Sequence, residues 1–182
     1  MDGHSWEHRN MFDSILLNGT VGAGKSTLAD AIGLREEANG RPHAVVDLDQ
    51  IRRAWPAPES DRFNHELELR NLGDLVRNYR LAGAERFILA GVIEDAGEIP
   101  RYEDALQSSD LFVCRLVAPE ATLKTRLQER HSDSPDELTW HLRRVEELTS
   151  ILDIAALDHP VFDSSRSTPE ELAETICVAA GW

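Results

Sequence analysis

The stretch GTVGAGKST, residues 19–27, follows the apolar run SILLN and precedes a segment with helical periodicity. Gly19 opens it, and after four further residues it continues with Gly24, Lys25 and Ser26. Glycines at these two positions allow a tight turn and let backbone N–H groups approach phosphate oxygens closely. A lysine and a hydroxyl residue at the start of the following helix supply the contacts that phosphates and a magnesium ion need. The stretch therefore predicts a strand, a phosphate-binding loop and a helix.

The residue types in this loop predict their roles. Lys25 reaches the β- and γ-phosphates, so we expect it to take part in catalysis, and Ser26 ligates Mg²⁺. We expect ATP with Mg²⁺, although the loop alone leaves the preference for ATP over GTP open. The predicted nucleotide-binding residues are Gly19, Thr20, Val21, Gly22, Ala23, Gly24, Lys25, Ser26 and Thr27.

Length and charge limit the class of protein. The chain has 182 residues, of which 41% are hydrophobic, which is enough for one domain with a substantial core. We expect a single domain over residues 1–182, with a flexible polar tail over residues 1–12. Lys and Arg total 19 against 33 Asp and Glu, so the formal net charge is −14. A chain this acidic repels nucleic acids and anionic membranes, and we expect neither as a partner.

The two cysteines indicate the redox environment. Cys114 and Cys177 each lie in an apolar run, which predicts buried free thiols in a reducing compartment and hence a cytoplasmic protein. No apolar run reaches the length of about 18 residues that a membrane span needs. The sequence leaves monomer and homodimer open.

Five short apolar runs alternate with longer helical patterns. This alternation predicts an α/β fold, a three-layer α/β/α sandwich around a five-stranded, mostly parallel sheet. Ligands of such sheets bind beyond the carboxyl ends of the strands. The predicted strands are 14–18, 43–49, 86–93, 111–117 and 159–165, and the predicted helices are 25–37, 61–81, 102–107, 118–131, 135–156 and 167–181.

An acidic turn, VVDLDQIRRAW, follows the second predicted strand. Asp47 and Asp49 lie at the carboxyl end of that strand, beside the glycine loop. A carboxylate at this place can orient an acceptor hydroxyl and take its proton, or hold water on a metal ion. Either aspartate could do so, and the alternative is that one of them caps the turn beginning at Gln50.

GTVGAGKST followed by VVDLDQIRR resembles the small-molecule kinases of the P-loop superfamily. Adenylyl-sulfate kinases carry a similar Asp-Gly-Asp-Asn-hydrophobic-Arg turn, and chloramphenicol phosphotransferases have a loop starting Asn-Gly and an aspartate ending the second strand. The resemblance implies a fold like that of nucleoside-monophosphate kinases and phosphate transfer from ATP to a small molecule. It also implies that Asp49 is catalytic and that Arg52 and Arg70 contact the acceptor. Because Leu48 stands where adenylyl-sulfate kinases have glycine, adenylyl sulfate is not assigned as the substrate.

Further along the chain, LKTRLQERHSD resembles the lid entry of these kinases. Arg126 and Arg130 are four residues apart on one helical face, and guanidinium groups suit the oxygens of a transferring phosphate. We expect both to be catalytic within a lid over about 124–145, with surface pairing to Glu129 or Asp133 as the alternative. Arg166 lies in DSSRSTPEE, where related kinases bind adenine, so we expect it to contact the nucleotide.

The remaining candidates concern the acceptor. Glu94 follows the third strand and could bind acceptor hydroxyls or a metal-bound water, with an exposed polar loop as the alternative. Trp55 could cover an aromatic or apolar acceptor, with a packing role as the alternative. Arg52, Arg53 and Arg70 predict a locally basic patch, which favours an acceptor with negative charge of its own.

The main hypothesis is an ATP-dependent phosphotransferase acting on a hydroxyl of a small molecule, such as a metabolite, a nucleotide-like compound or an antibiotic. The chain has no Asn-Lys-x-Asp guanine signature and no Leu-Ser-Gly-Gly signature of transporter ATPases. The alternative is a nucleotide-binding regulatory protein or a slow ATPase without an acceptor.

Overall fold

The computed structural model describes residues 12–155 and 160–182. Its five strands form one sheet in the order β2-β3-β1-β4-β5, and every pairing in it is parallel. The predicted α/β fold is therefore confirmed, with the strand that leads into the glycine loop at the centre of the sheet. The strands are β1 (Ser14–Gly19), β2 (His43–Asp47), β3 (Arg86–Ala90), β4 (Leu111–Val117) and β5 (Val161–Asp163).

Seven helices connect and cover the strands in the described part of the chain. They are α1 (Lys25–Ala38), α2 (Leu48–Ile51), α3 (His65–Leu81), α4 (Ile99–Leu106), α5 (Glu120–Arg130), α6 (Pro135–Ala155) and α7 (Pro169–Ala179), with a 3-10 turn over Ala96–Glu98 before α4. Thr168 and Glu171 form a capping box that starts α7, as expected of a capped amphipathic helix.

The core has two halves, one on each face of the sheet. Successive side chains of β1 point to opposite faces, so Ile15 and Leu17 pack with α1 and α7, while Leu16 packs with α3 and α4. All six residues of β1 are buried, as expected of a strand in the middle of a parallel sheet. Both faces of the sheet are thus covered, and its carboxyl edge is left for ligands.

Several predicted boundaries are wrong by a few residues. The second strand ends at Asp47 rather than residue 49, because the Asp47 side chain accepts a hydrogen bond from the Asp49 N–H and caps the short helix α2. Helix α3 begins at His65 rather than residue 61, and the Asp61 carboxylate accepts the N–H groups of His65 and Glu66 at its start.

The ends of the described chain and the two cysteines pack into the fold. Of the predicted tail over residues 1–12, all but Phe12 lies outside the described residues, and Phe12 packs against Phe112. Cys114 and Cys177 are buried free thiols, as predicted. Among the described residues, no helix is long and apolar enough to cross a membrane.

Candidate active site

Asn18 fixes the end of the central strand against the loop that follows β3. Its side-chain amide donates to the Ile93 carbonyl at 3.1 Å, and its Oδ1 accepts the Ile93 N–H at 3.1 Å and the Gly19 N–H at 2.8 Å. The side chain is fully buried, so these bonds satisfy polar groups that water does not reach. Glu94, the residue after Ile93, is thereby carried to the same edge of the sheet as the glycine loop.

The backbone of the loop requires glycine at both ends of the motif. Gly19 has φ +146°, and a Cβ there would lie 2.6 Å from the Leu116 carbonyl oxygen. Gly24 has φ +93° and precedes α1 as its N-terminal cap. Side chains at these positions would be strained or would clash, and the loop would lose the path that exposes its N–H groups.

Lys25, the first residue of α1, lies against the loop that precedes it. Its Nζ donates to the carbonyl oxygens of Gly19 at 2.8 Å and Thr20 at 3.1 Å. Burial lowers the pKa of this ammonium from 10.5 to about 8, although the carboxylates of Asp49 and Asp47 raise it. A bound phosphate would favour the charged form and restore the pKa.

Ser26 and Asp47 form the next contact along the sheet edge. Ser26 Oγ donates to Asp47 Oδ2 at 2.8 Å, while Asp47 Oδ1 accepts the Asp49 N–H at 3.0 Å. One carboxylate thus joins the start of α1 to the start of α2. A serine hydroxyl beside a carboxylate oxygen matches the hard oxygen ligands that Mg²⁺ takes together with phosphates and water, so these residues fit a magnesium ion.

Asp49 is held differently. Its carboxylate pairs with Arg52, three residues later, and its side chain is 54% exposed to the cleft. The other arm of Arg52 lies 3.0 Å from Glu68 Oε2. Glu68 is almost fully buried on α3 and accepts the hydroxyl of Tyr102 on α4 at 2.6 Å. A chain of contacts therefore runs from the core through Arg52 to Asp49.

Glu94 is paired from the opposite side of the cleft. Arg144 of α6 is buried and binds Glu94, while its second arm lies 2.8 Å from Glu147 Oε2. Its Cζ also lies 4.9 Å from the centroid of the Phe63 ring. Helix α6 thus closes the cleft over the loop after β3.

Arg126 and Arg130 lie near the loop but in different settings. Arg126 donates to the Gly22 carbonyl at 3.2 Å and to both the hydroxyl and the carbonyl of Ser164, at 3.1 and 2.8 Å. Arg130 lines the same cavity as Lys25 and Asp49. Arg126 therefore anchors the loop to the end of β5, and Arg130 faces the cleft.

These side chains surround a cavity of about 330 Å³ at the carboxyl edge of the sheet. A second cavity, on the other side of Arg130, lies beyond β5. The lining of the first includes Lys25, Ser26, Asp47, Asp49, Arg52, Glu94, Arg130 and Arg144, and that of the second includes Gly24, Thr27, Arg126, Arg130, Ser164, Ser167 and Leu172.

Three candidate residues lie elsewhere. Trp55 is 94% exposed, Arg70 is exposed on α3, and Arg166 is 83% exposed and pairs with Asp163. None of them lines the cavities described above. The functional assignments of these three residues stay predictions. Arg52, which was also predicted to contact the acceptor, lines the first cavity but is paired with two carboxylates.

Several residues that line the two cavities were not predicted from the sequence. Phe63, Trp140 and His141 line the first cavity, and Ser164 and Ser167 line the second. Aromatic residues on an amphipathic helix resemble core residues in sequence, so spacing offered no signal for Trp140 or His141. For Ser164, the position directly after the fifth strand was an available signal.

A comparison with models of protein families gives a match to more than half of the chain. The model of a family described as an AAA domain matches residues 15–148. The chain belongs to this AAA domain family. The match runs from β1 into α6 and so includes the glycine loop, both aspartates and the arginines of α5. No curated protein matches the sequence of this AAA domain chain.

Solved structures similar to this AAA domain protein include several kinases. A gluconokinase from Sinorhizobium meliloti 1021 is 19% identical, with 95% of this chain and 94% of that chain covered and a TM-score of 0.62. A shikimate kinase from Acinetobacter baumannii, in complex with shikimate, is 19% identical, with coverages of 91% and 90% and a TM-score of 0.55. The tunicamycin resistance protein of Deinococcus radiodurans is 20% identical, with coverages of 93% and 96% and a TM-score of 0.60. The predicted resemblance to P-loop small-molecule kinases is confirmed, and at these identities it establishes the fold.

Proposed function

We propose that this protein is an ATP-dependent phosphotransferase that moves the γ-phosphate of ATP to a hydroxyl group of a small molecule. The observation that carries the proposal is the position of Asp49, which opens on the same cavity as Lys25 and Ser26. A nucleotide-binding loop alone fits many proteins, whereas a carboxylate beside the phosphate site fits proton removal from an acceptor.

The loop and its lysine hold the phosphates in this proposal. Backbone N–H groups of residues 19–27 surround them, and Lys25 exchanges its contacts with the Gly19 and Thr20 carbonyls for contacts with phosphate oxygens. Ser26 and Asp47, whose hydroxyl and carboxylate lie 2.8 Å apart, would hold Mg²⁺. When bound, the ion neutralises charge on the phosphates.

Asp49 is the proposed base, and Asp47 is not. The carboxylate of Asp47 is occupied by Ser26 and by the N–H of Asp49, whereas Asp49 is half exposed and held by Arg52. In the transfer, the bond from the γ-phosphorus to the ADP oxygen breaks and a bond to the acceptor oxygen forms. The proton of the acceptor hydroxyl goes to an Asp49 carboxylate oxygen.

Arg126 and Arg130 of α5 have different roles in this proposal. Arg130 faces the cavity of Lys25 and stabilises charge on the transferring group, within the lid predicted over 124–145. Arg126, predicted from the sequence to be catalytic, binds Gly22 and Ser164 and lines the second cavity, which we assign to the base of the nucleotide. Glu94 contacts the acceptor from the far side.

Similar proteins support a hydroxyl compound as the acceptor. A gluconokinase, a sugar kinase from Janibacter sp. HTCC2649 and a shikimate kinase share the fold. Shikimate, the ligand in the last of these structures, carries hydroxyl groups as well as a carboxylate. For this chain we propose phosphate transfer from ATP to a hydroxyl group, and we assign none of those compounds as its substrate.

A panel of hydroxyl compounds tests the proposal. Sugars, polyols, nucleosides, nucleotides and antibiotics are incubated with ATP, Mg²⁺ and protein, and mass spectrometry detects a phosphate gain on the organic compound. We expect a gain with the wild type and none with Lys25→Ala, with Arg77→Ala as the control because Arg77 pairs with Asp74 on the surface, away from the cavities. Binding of ATP with no phosphorylated product from any class would favour the regulatory protein or slow ATPase instead.

A further inference from the structure

The acceptor side of the cavity continues into a third cavity. This third cavity also has a volume of about 330 Å³, and it shares Arg52, Phe63, Val92 and Glu94 with the cavity that contains Lys25. It lies on the side away from the glycine loop, between the start of α3 and the segment after β3. An acceptor whose hydroxyl is at Asp49 would extend into it.

Arg52 lies where the first and third cavities meet, and it is already paired with two carboxylates. Arg52 pairs with Asp49 through one arm, and its other arm lies 3.0 Å from Glu68. Glu68 is 1% exposed, so an acidic acceptor that took Arg52 away would leave a buried carboxylate without its counter-ion. Such an acceptor would also compete with Asp49, the proposed base.

The second cation is neutralised in the same way. Arg144 binds Glu94 with one arm and lies 2.8 Å from Glu147 with the other, and only 10% of its side chain is exposed. Its guanidinium thus has two carboxylates for one positive charge. Because both arms of Arg144 are already paired, the residue is not available to bind an acidic acceptor.

The third cavity itself carries more carboxylates than cations. Asp61, Asp95 and Glu98 line it in addition to Glu94. The cations beside them are the exposed Arg62, whose Cζ lies 4.6 Å from the Phe63 ring centroid, and His65 and Arg101, which contact Glu98 at 2.8 and 3.0 Å. A carboxylate or phosphate entering here would meet like charge.

We propose that the phosphate acceptor has no acidic group and is a neutral or amine-bearing hydroxyl compound. This inference rests on the proposed phosphotransferase function and reverses the expectation from the sequence that Arg52, Arg53 and Arg70 attract an anion. Arg53 contacts Gln50, and Arg70 lies outside the lining of the third cavity. Hydroxyl groups of the phosphate acceptor can donate hydrogen bonds to the carboxylates of Asp49 and Glu94, and an amino group is attracted to Asp61 and Asp95, whereas Glu98 is already paired with His65 and Arg101.

Matched compounds that differ in charge test the inference. Glucosamine, glucose and glucuronate form one series, and adenosine with adenosine monophosphate forms another. Initial rates of phosphate transfer from ATP give kcat/KM for each. We expect the neutral or amine-bearing member of a series to exceed the acidic member by about tenfold or more.

Variants connect the preference to the cavity. In Asp95→Asn we expect the advantage of the amine over the neutral compound to shrink, whereas Asp104→Asn, which changes an exposed carboxylate outside the lining, retains it. Equal or higher rates with the acidic members would overturn the inference and leave the phosphotransferase function standing. ATP hydrolysis without transfer to any member of either series or of the broader panel would instead overturn the proposed function, and the inference with it.

Discussion

Asp47 and Asp49 lie only two residues apart, yet their contacts differ. Asp47 binds the hydroxyl of Ser26 and the N–H of Asp49, while Asp49 pairs with Arg52 at the open cleft. Asp47 is the last residue of β2 and Asp49 lies in the short helix α2, and this change from strand to helix separates their side chains. Sequence left the choice between them open, and the contacts favour a metal role for one and a base role for the other.

Substitution of the two aspartates by asparagine is expected to give different results. Asp49→Asn removes the base and keeps the size of the side chain, so phosphate transfer falls by about 100-fold or more while the Kd for ATP is unchanged. Asp47→Asn weakens the Mg²⁺ site, so the Kd for magnesium-ATP rises as well. Calorimetry and initial rates measure both quantities, and normal turnover of Asp49→Asn would disprove the assignment of the base.

Lys25 predicts a pH dependence of ATP binding. Its pKa in the free protein is about 8, below the ordinary 10.5, because burial disfavours the ammonium. The phosphates bind the charged form, so affinity for ATP is complete below about pH 8 and declines as the pH rises above it. Calorimetric titrations from about pH 7 to about pH 9.5 measure the change.

The Lys25→Arg variant is the control for this titration. A guanidinium stays charged over the whole range, so whatever affinity the variant retains should not change with pH. A wild-type affinity that is constant over the same range would contradict the lowered pKa of Lys25.

At the scale of the elements, α3 and α4 meet in a buried polar contact. Glu68 accepts the Tyr102 hydroxyl and pairs with Arg52, and burial raises the pKa of the Glu68 carboxyl. Removing the carboxylate in Glu68→Ala leaves Arg52 and Tyr102 without it, and we expect a loss of about 3–5 kcal/mol in the free energy of unfolding.

Urea unfolding measures this loss, with Asp74→Ala as the control on the same helix. Asp74 pairs with Arg77 at the surface, where both side chains are mostly exposed, so its removal should change the unfolding midpoint little. A Glu68→Ala protein as stable as the wild type would show that this contact does not hold α3 and α4 together.

Sequence predicted the five strands and the loop well, because hydrophobic runs and glycine spacing are local signals. It placed the end of β2 too late, since VVDLD alternates like a strand and the capping role of Asp47 depends on the turn that follows. The contacts that complete the site join distant positions: 34 residues separate Glu68 from Tyr102, and 50 separate Glu94 from Arg144. Spacing along the chain carries no information on such pairs.

For the whole molecule, net charge and local charge have to be considered separately. The net charge of −14 opposes association with polyanions, while Lys25 and Arg130 at the loop provide positive charge for the phosphates of one nucleotide. This charge distribution is consistent with the proposed binding of ATP and with the expectation of no general affinity for nucleic acid.

This distribution of charge predicts no binding to polyanions. We expect no shift of a labelled DNA duplex and no retention on anionic lipid vesicles at a salt concentration of about 50 mM, where electrostatic binding is strong. Fluorescence anisotropy and vesicle sedimentation measure the two. Binding that weakens with added salt would reveal a basic surface that outweighs the net charge.

The central claim is that the terminal phosphate of ATP is transferred to a hydroxyl compound rather than to water. The most direct measurement follows the label of γ-³²P-ATP in the presence of the best acceptor from the panel and separates organic phosphate from inorganic phosphate. The account predicts that wild-type protein places the label in an organic ester and that Asp49→Asn does not. Label found in inorganic phosphate alone would contradict it.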